Sequence, residues 1–345
     1  MTSLHYISLT GSITDLGESM TFTINSILIY LTVFYIRNIK GGYKILVLAL
    51  ANLEIVFALL EFLVQPFLHS YNSSYIYFTI DPVYGASKAL KFWLLWLYSG
   101  CYSVLICLIT IQFFYRYSLI TGSQFKVVKL IDKWWWVYCS FWTVIWMVFY
   151  YQCVPDKDSE EYLREAMVKE YDSDIEEIPG FFIVVYNQDN SRRLNTIITI
   201  GGLSLILTFQ YSIIIYCGLE IHDKLKSESL QMSPKAVKMQ RQLFKTLILQ
   251  ILNPFIFHHT SAFILMSIIF LDLKISMPSG VVICFYSWFP SIDSLVMMYM
   301  VTEYKVVLRK RVEICIETML QWLQKGPMEE EGETTATNFQ SKHFV

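Results

Sequence analysis

Seven stretches of this chain are each long enough to cross a bilayer and nearly free of charge, and that pattern leaves few folds open. They run over residues 20–36, 45–68, 92–115, 134–153, 194–218, 246–271 and 276–301, and the only carboxylates inside them are Glu54, Glu61 and Asp293. A hydrocarbon core about 30 Å thick takes roughly 20 residues of helix at about 1.5 Å each. Lipid offers no hydrogen-bond partner to an open backbone, so each stretch must close its own bonds as a helix. With 54% hydrophobic and only 16% charged residues, the chain is too apolar for an ordinary soluble protein. The expectation is an all-α membrane protein, a bundle of seven transmembrane helices.

Lysine and arginine resist translocation and so report orientation. With the N-terminus outside, the cytosolic segments 37–44, 115–133, 219–245 and 302–345 hold nineteen of the 27 basic residues. Five of the remainder lie in segment 154–193, where eleven acids outnumber them. The N-terminus is expected outside and the C-terminus inside. Residues 1–17 contain no Lys or Arg and no apolar core of a signal peptide, so the first helix is expected to serve as its own insertion signal.

The segments outside the membrane differ in character. Residues 156–180 are strongly acidic with helical spacing in the middle, as for a solvated cap over the bundle or a gate attracting cationic ligands. The sequon Asn72-Ser73-Ser74 falls in the first exterior loop, which makes Asn72 a candidate glycosylation site. Residues 301–324 alternate apolar and basic positions at helical period, as expected of an amphipathic helix on the inner leaflet. Cys315 there could be acylated. The division expected is a receptor domain over 1–310, the amphipathic helix over 311–325 and a disordered cytosolic tail over 326–345. The seven cysteines show no metal-ligand spacing; those inside the spans are read as apolar packers, and only Cys153 sits near the oxidising face.

Four segments carry a family resemblance. The stretch "SGCYSVLICLITIQFFYRYSLI" (99–120) resembles the third helix of the nematode serpentine chemoreceptors of the Str group, a branch of seven-helix receptors similar to G-protein-coupled receptors. "GGYKILVLALANLEIVFALLEFLVQPF" (41–67) resembles their second helix, "KMQRQLFKTLILQILNPFIF" (238–257) their sixth and "FPSIDSLVMMYMVTEYK" (289–305) their seventh. The likeness covers about 15–310, in order and with matching spacing. It implies that Arg116, at the inner mouth of helix three, is the arginine such receptors use in switching and G-protein contact. Position alone also allows an ordinary anchor snorkelling to phosphates between Tyr115 and Tyr117. Tyr115 stands where the wider rhodopsin-like pattern has an acid, "FPSID" (289–293) stands for Asn-Pro-x-x-Tyr, and Cys101 lies too deep for the usual exterior disulfide.

Buried ionisable groups suggest the mechanism, because charge at membrane depth is costly unless paired or hydrated. Glu54 and Glu61, seven apart, share one face of helix two, and Asp293 follows Pro290 in helix seven. With Asn25 they are read as a polar cluster joining helices one, two and seven, either protonation-sensitive or purely structural. Pro254 should kink helix six. His258 and His259 follow about one turn on, and at 100° apart at most one should face the bundle centre. A pocket lined by Trp96, Cys101, His259, Phe285 and Trp288 is the expected ligand site.

The chain lacks a zinc-protease helix, a nucleophilic serine motif and a paired intramembrane aspartate, so no enzyme is expected, and no cofactor. No repeat relates one half of the spans to the other, which weighs against a carrier. The expectation is a chemosensory receptor taking a small-molecule ligand outside and a heterotrimeric G protein inside, with membrane lipid around it and no nucleic acid as partner. The resemblance implies the plasma membrane, at the cilia of chemosensory neurons. The alternative is a seven-helix cation channel or transporter using Glu54 and Asp293.

Overall fold

A computed structural model describes residues 3–37, 41–79, 85–121, 125–187, 191–227, 233–273 and 275–325. The tail 326–345, expected to be disordered, lies outside the described residues. Two compact units are present, one ending at Lys305 and the other beginning at Val306.

Long helices build the first unit: α1 (Ser3–Phe34), α2 (Gly42–Val64), α3 (Lys88–Ile120), α4 (Phe125–Tyr151), α6 (Leu194–Ser227), the broken pair α7 (Pro234–Pro254) and α8 (Thr260–Phe270), and α9 (Gly280–Met300). With α7 and α8 counted together, these are the seven charge-poor segments in order. α1 extends well before the apolar stretch that announced it. α3 is the central post, buried along most of its length and packed on α2, α4 and α6, while α1 closes the bundle against α9. The Ser87 hydroxyl accepts from the Leu90 amide and caps the start of α3. Gly202 of α6 is seated on the Phe149 ring, where a side chain would collide.

One end of the bundle carries structure that hydropathy alone did not announce. β1 (Phe67–Tyr71) and β2 (Ser74–Phe78) form a hairpin, β3 (Gly180–Val184) pairs with β2 and β4 (Met277–Pro278) with β1, giving an antiparallel sheet of order β3-β2-β1-β4. The second span therefore ends at Val64 rather than at Leu68: Gln65 takes a left-handed conformation (φ 46°) and Pro66, lacking an N–H, cannot continue the helix. The acidic segment does form a helix, α5 (Lys157–Tyr171), closed at its start by a reciprocal cap between Asp156 and Ser159. Its apolar face, Leu163, Met167 and Tyr171, packs with Phe67, Phe78 and Phe182 of the sheet. All seven cysteines are free, Cys153 among them.

α10 (Thr302–Lys325) continues into the second unit, where Ile316, Met319 and Leu320 are exposed apolar side chains beside the Arg309–Glu313 pair.

Candidate functional site

Three connected arrangements lie inside the bundle. Beneath the sheet is an aromatic cavity of about 80 Å³. Tyr98 and Tyr102 of α3, Trp146 of α4 and Tyr286 of α9 wall it, Tyr77 of β2 roofs it, and Phe57 of α2 closes one side. Its far wall is His258, whose ring lies between Tyr102 and Tyr286 at 3.6 and 4.0 Å, nearly parallel to both.

His258 reaches that position because helix six is not a regular helix there. Pro254 is followed by a π-turn over Phe255–His259 that adds a residue to the turn. The expectation that only one of the two histidines could face inward is thereby corrected, since the 100° spacing does not hold through the extra residue. His259 Nε2 stands 2.9 Å from the Tyr102 hydroxyl, and its Nδ1 is 3.1 Å from the Tyr211 hydroxyl and 3.2 Å from the Pro254 carbonyl. A ring protonated at Nδ1 donates to the Pro254 carbonyl and accepts from Tyr102 at Nε2, with the Tyr211 oxygen beside the same Nδ1 proton. Both histidines thus hold the break in helix six against one tyrosine of helix three.

The second arrangement is a ladder of buried carboxylates between α2 and α9. Glu61 accepts from the Ser287 hydroxyl at 2.7 Å and Glu54 from the Ser294 hydroxyl at 3.1 Å. The two rungs are seven residues apart on both helices, which run antiparallel. Ser294 also approaches Asn25 Oδ1 at 2.5 Å, bringing in α1. Asp293 accepts from Asn253 of α7 at 2.5 Å, and the same Asn253 amide donates to the Phe289 carbonyl at 2.7 Å, one residue before Pro290. Asn25, Glu54 and Asp293 are brought into one neighbourhood, with helix six joined to it. Glu61 stands a level nearer the sheet. The space beside Glu54 is about 10 Å³, the size of a single water.

The third arrangement lies at the end opposite the sheet. Arg116 is only 3% exposed. Its guanidinium sits 4.0 Å over the Tyr43 ring of α2 and donates from Nη1 to Gln240 Oε1 of α7 at 2.5 Å. Nearby Gln242 donates to the Thr302 hydroxyl at 2.6 Å. Arg116 therefore has its planar group enclosed between three helices rather than extended outward as an anchor would be.

The other candidates fall elsewhere. None of Trp96, Cys101, His259, Phe285 and Trp288 borders the 80 Å³ cavity. Trp96 donates to the Met147 carbonyl at 2.9 Å between α3 and α4, and Trp288 to Ile13 at 3.2 Å between α1 and α9. Phe285 of α9 is 41% exposed, and Cys101 is buried in α3. Asn72 sits at the hairpin tip with φ 47°, a conformation asparagine tolerates better than most residues. Tyr98, Tyr102, Trp146, His258, Tyr286, Tyr43 and Gln240 were not anticipated. Aromatics four apart on helix three carried a readable signal, for Tyr98 and Tyr102 share one face.

Seven long helices around a buried polar core, with an arginine enclosed at one end, define a seven-transmembrane receptor architecture. Squid rhodopsin shares the fold, with a TM-score of 0.54 over 90% of this chain and 81% of that one at 12% identity. Residues 10–309 match the family model of the serpentine type seven-transmembrane G-protein-coupled chemoreceptors Str, and the chain belongs to this family. Among its relatives in Caenorhabditis elegans are G-protein coupled receptor str-33, 33% identical over 87% of this chain and 90% of that protein, and serpentine receptor class r-10, 22% identical over 87% and 90%.

Proposed function

We propose that this chain is a chemosensory receptor that binds a small molecule in the aromatic cavity and activates a heterotrimeric G protein at the opposite end. The sheet and α5 then face outside, α10 lies along the inner leaflet, and the protein works at the plasma membrane, at the cilia of sensory neurons. The charge distribution supports this orientation: eleven acids in segment 154–193 and nineteen basic residues in the four opposite segments.

The observation that carries the reading is the continuity of helix six between the two ends. Its π-turn supplies His258 to the cavity wall, and α7, running on from Pro254, supplies Gln240 to Arg116. A ligand that repacks His258 against Tyr102 and Tyr286 acts on the hinge, and the inner end of α7 moves with it. Separation of Gln240 from Arg116 would free the guanidinium for a G protein. A ligand preferring that open arrangement raises its population in proportion to its differential affinity. Asn253 and Asp293 tie the same helix to α9, where Pro290 is the second switch position.

A chemical panel applied to cells expressing the chain, with calcium or cAMP readout, tests this function. Ala262→Phe, which fills the cavity from α8, should abolish responses at unchanged surface level. Responses that survive it would place the ligand elsewhere.

A further inference from the structure

We propose that the aromatic cavity takes a small organic ammonium ion, with Glu61 as its counter-charge. This rests on the cavity being the ligand seat and names the ligand chemistry it selects. The wall presents ring after ring: Tyr77, Tyr98, Tyr102, Trp146, Tyr150 and Tyr286. Ring faces carry negative potential and attract a cation most strongly where water is excluded. Among the described residues no lysine or arginine lines the space to oppose one.

The counter-charge lies just behind this wall. Glu61 is fully buried, and the Ser287 hydroxyl donates to its Oε1 at 2.7 Å. It neighbours Tyr98, which lines the cavity. Glu18 of α1, 6% exposed, has neither carboxylate oxygen partnered and is within electrostatic reach of both Glu61 and Tyr98. Among the described residues no lysine or arginine pairs with either acid. Charge at this depth is costly, and a cation seated beside Tyr98 would stabilise the carboxylate of Glu61, so that the bound ion and its counter-charge support each other.

Polar atoms of the wall also suit an ammonium. His258 Nδ1 is buried without a partner and in one tautomer offers a lone pair to an N–H donor. A space of about 80 Å³ admits only a few heavy atoms, which favours a methylated amine over a larger amine. The acidic surplus of α5, the helix packed on the sheet, would raise the local concentration of cations.

The test uses full-length receptor purified in detergent, titrated with trimethylammonium chloride and, as a neutral molecule of similar size, tert-butanol, followed by thermal shift and ligand-observed NMR. Trimethylammonium should bind and stabilise the wild type while tert-butanol does neither. Glu61→Gln, which keeps the shape and the Ser287 contact, should weaken trimethylammonium binding by about tenfold or more, and Ala262→Phe should abolish it. Absence of trimethylammonium binding to the wild type overturns the proposal whether or not the variants fold. Equal binding of tert-butanol, or binding indifferent to Glu61→Gln, also overturns it. If the ammonium fails but Ala262→Phe still removes cellular responses to the chemical panel, the cavity remains the ligand seat and only the ligand class falls. If those responses survive Ala262→Phe, the cavity reading itself fails.

Discussion

Gln240 of α7 accepts a hydrogen bond from Arg116 of α3 at 2.5 Å, while the same guanidinium stacks 4.0 Å over Tyr43 of α2. A lysine ammonium could keep some attraction to the tyrosine ring but has no planar fork to satisfy both partners at once. Arg116→Lys and Arg116→Ala are both expected to reach the cell surface and both to lose most G-protein activation, with lysine rescuing little. Surface labelling alongside nucleotide exchange on the G protein checks this. Near-normal coupling by the lysine variant would reduce Arg116 to a membrane anchor.

The Ser294 hydroxyl lies 3.1 Å from a Glu54 oxygen and 2.5 Å from Asn25 Oδ1 and shares its one proton between them, so its removal leaves a buried acceptor without its donor. Ser294→Ala is expected to cost about 1–3 kcal/mol of stability, read as a lower melting temperature of the purified receptor. Glu54→Gln, which keeps an acceptor for Ser294, should preserve surface expression yet alter agonist-evoked signalling or its dependence on sodium and pH. Normal signalling by Glu54→Leu at equal surface level would make the ladder a packing feature only.

His69, buried in β1 and 2.8 Å from the Tyr171 hydroxyl, is held neutral: burial lowers its pKa to about 4, with Glu170 opposing. The unfolded chain takes up that proton near pH 6.5 and the folded sheet does not until about pH 4. The contribution to stability is therefore complete above about pH 6.5 and is lost as pH falls towards 4, to a total of about 3 kcal/mol. Melting temperatures across that window should fall for the wild type and fall less for His69→Gln. Parallel curves would contradict the assignment.

Orientation is tested by Asn72 and by two tags. If the hairpin tip is outside, glycosidase treatment should shift the receptor's mobility and Asn72→Gln should remove the shift. Impermeant antibody should reach a tag at residue 1 and not one at residue 345. Surface staining of the second tag on intact cells would reverse the orientation.

The spans were legible in the sequence because a bilayer imposes a length and an apolar composition that few other constraints mimic. The acidic helix was legible because Asp156 and Ser159 cap it and its apolar residues recur at helical spacing. The sheet was not: "FLHSY" and "SYIYF" continue the apolar run of helix two, and only the Asn72-Ser73 turn marks a hairpin between them. The polar ladder followed from the spacing of Glu54 and Glu61, but its serine partners lie on another helix and no local pattern names them. In helix six the π-turn after Pro254 shifts the helical phase and brings His258 to the cavity wall in place of His259; on α3 and α9 the lining comes from Tyr98, Tyr102 and Tyr286, neighbours of the expected Trp96, Cys101 and Phe285, because tertiary packing and no local pattern sets which face turns inward.

The most direct measurement concerns Gln240, which touches Arg116 and can be changed in two opposite senses. Basal nucleotide exchange on the G protein, in membranes matched for receptor number, should rise in Gln240→Ala, where the contact is lost. It should fall below wild type in Gln240→Glu, where a carboxylate grips the guanidinium more firmly. Opposite shifts from one position are what a latch between helices three and six predicts; unchanged basal exchange in both variants would contradict it.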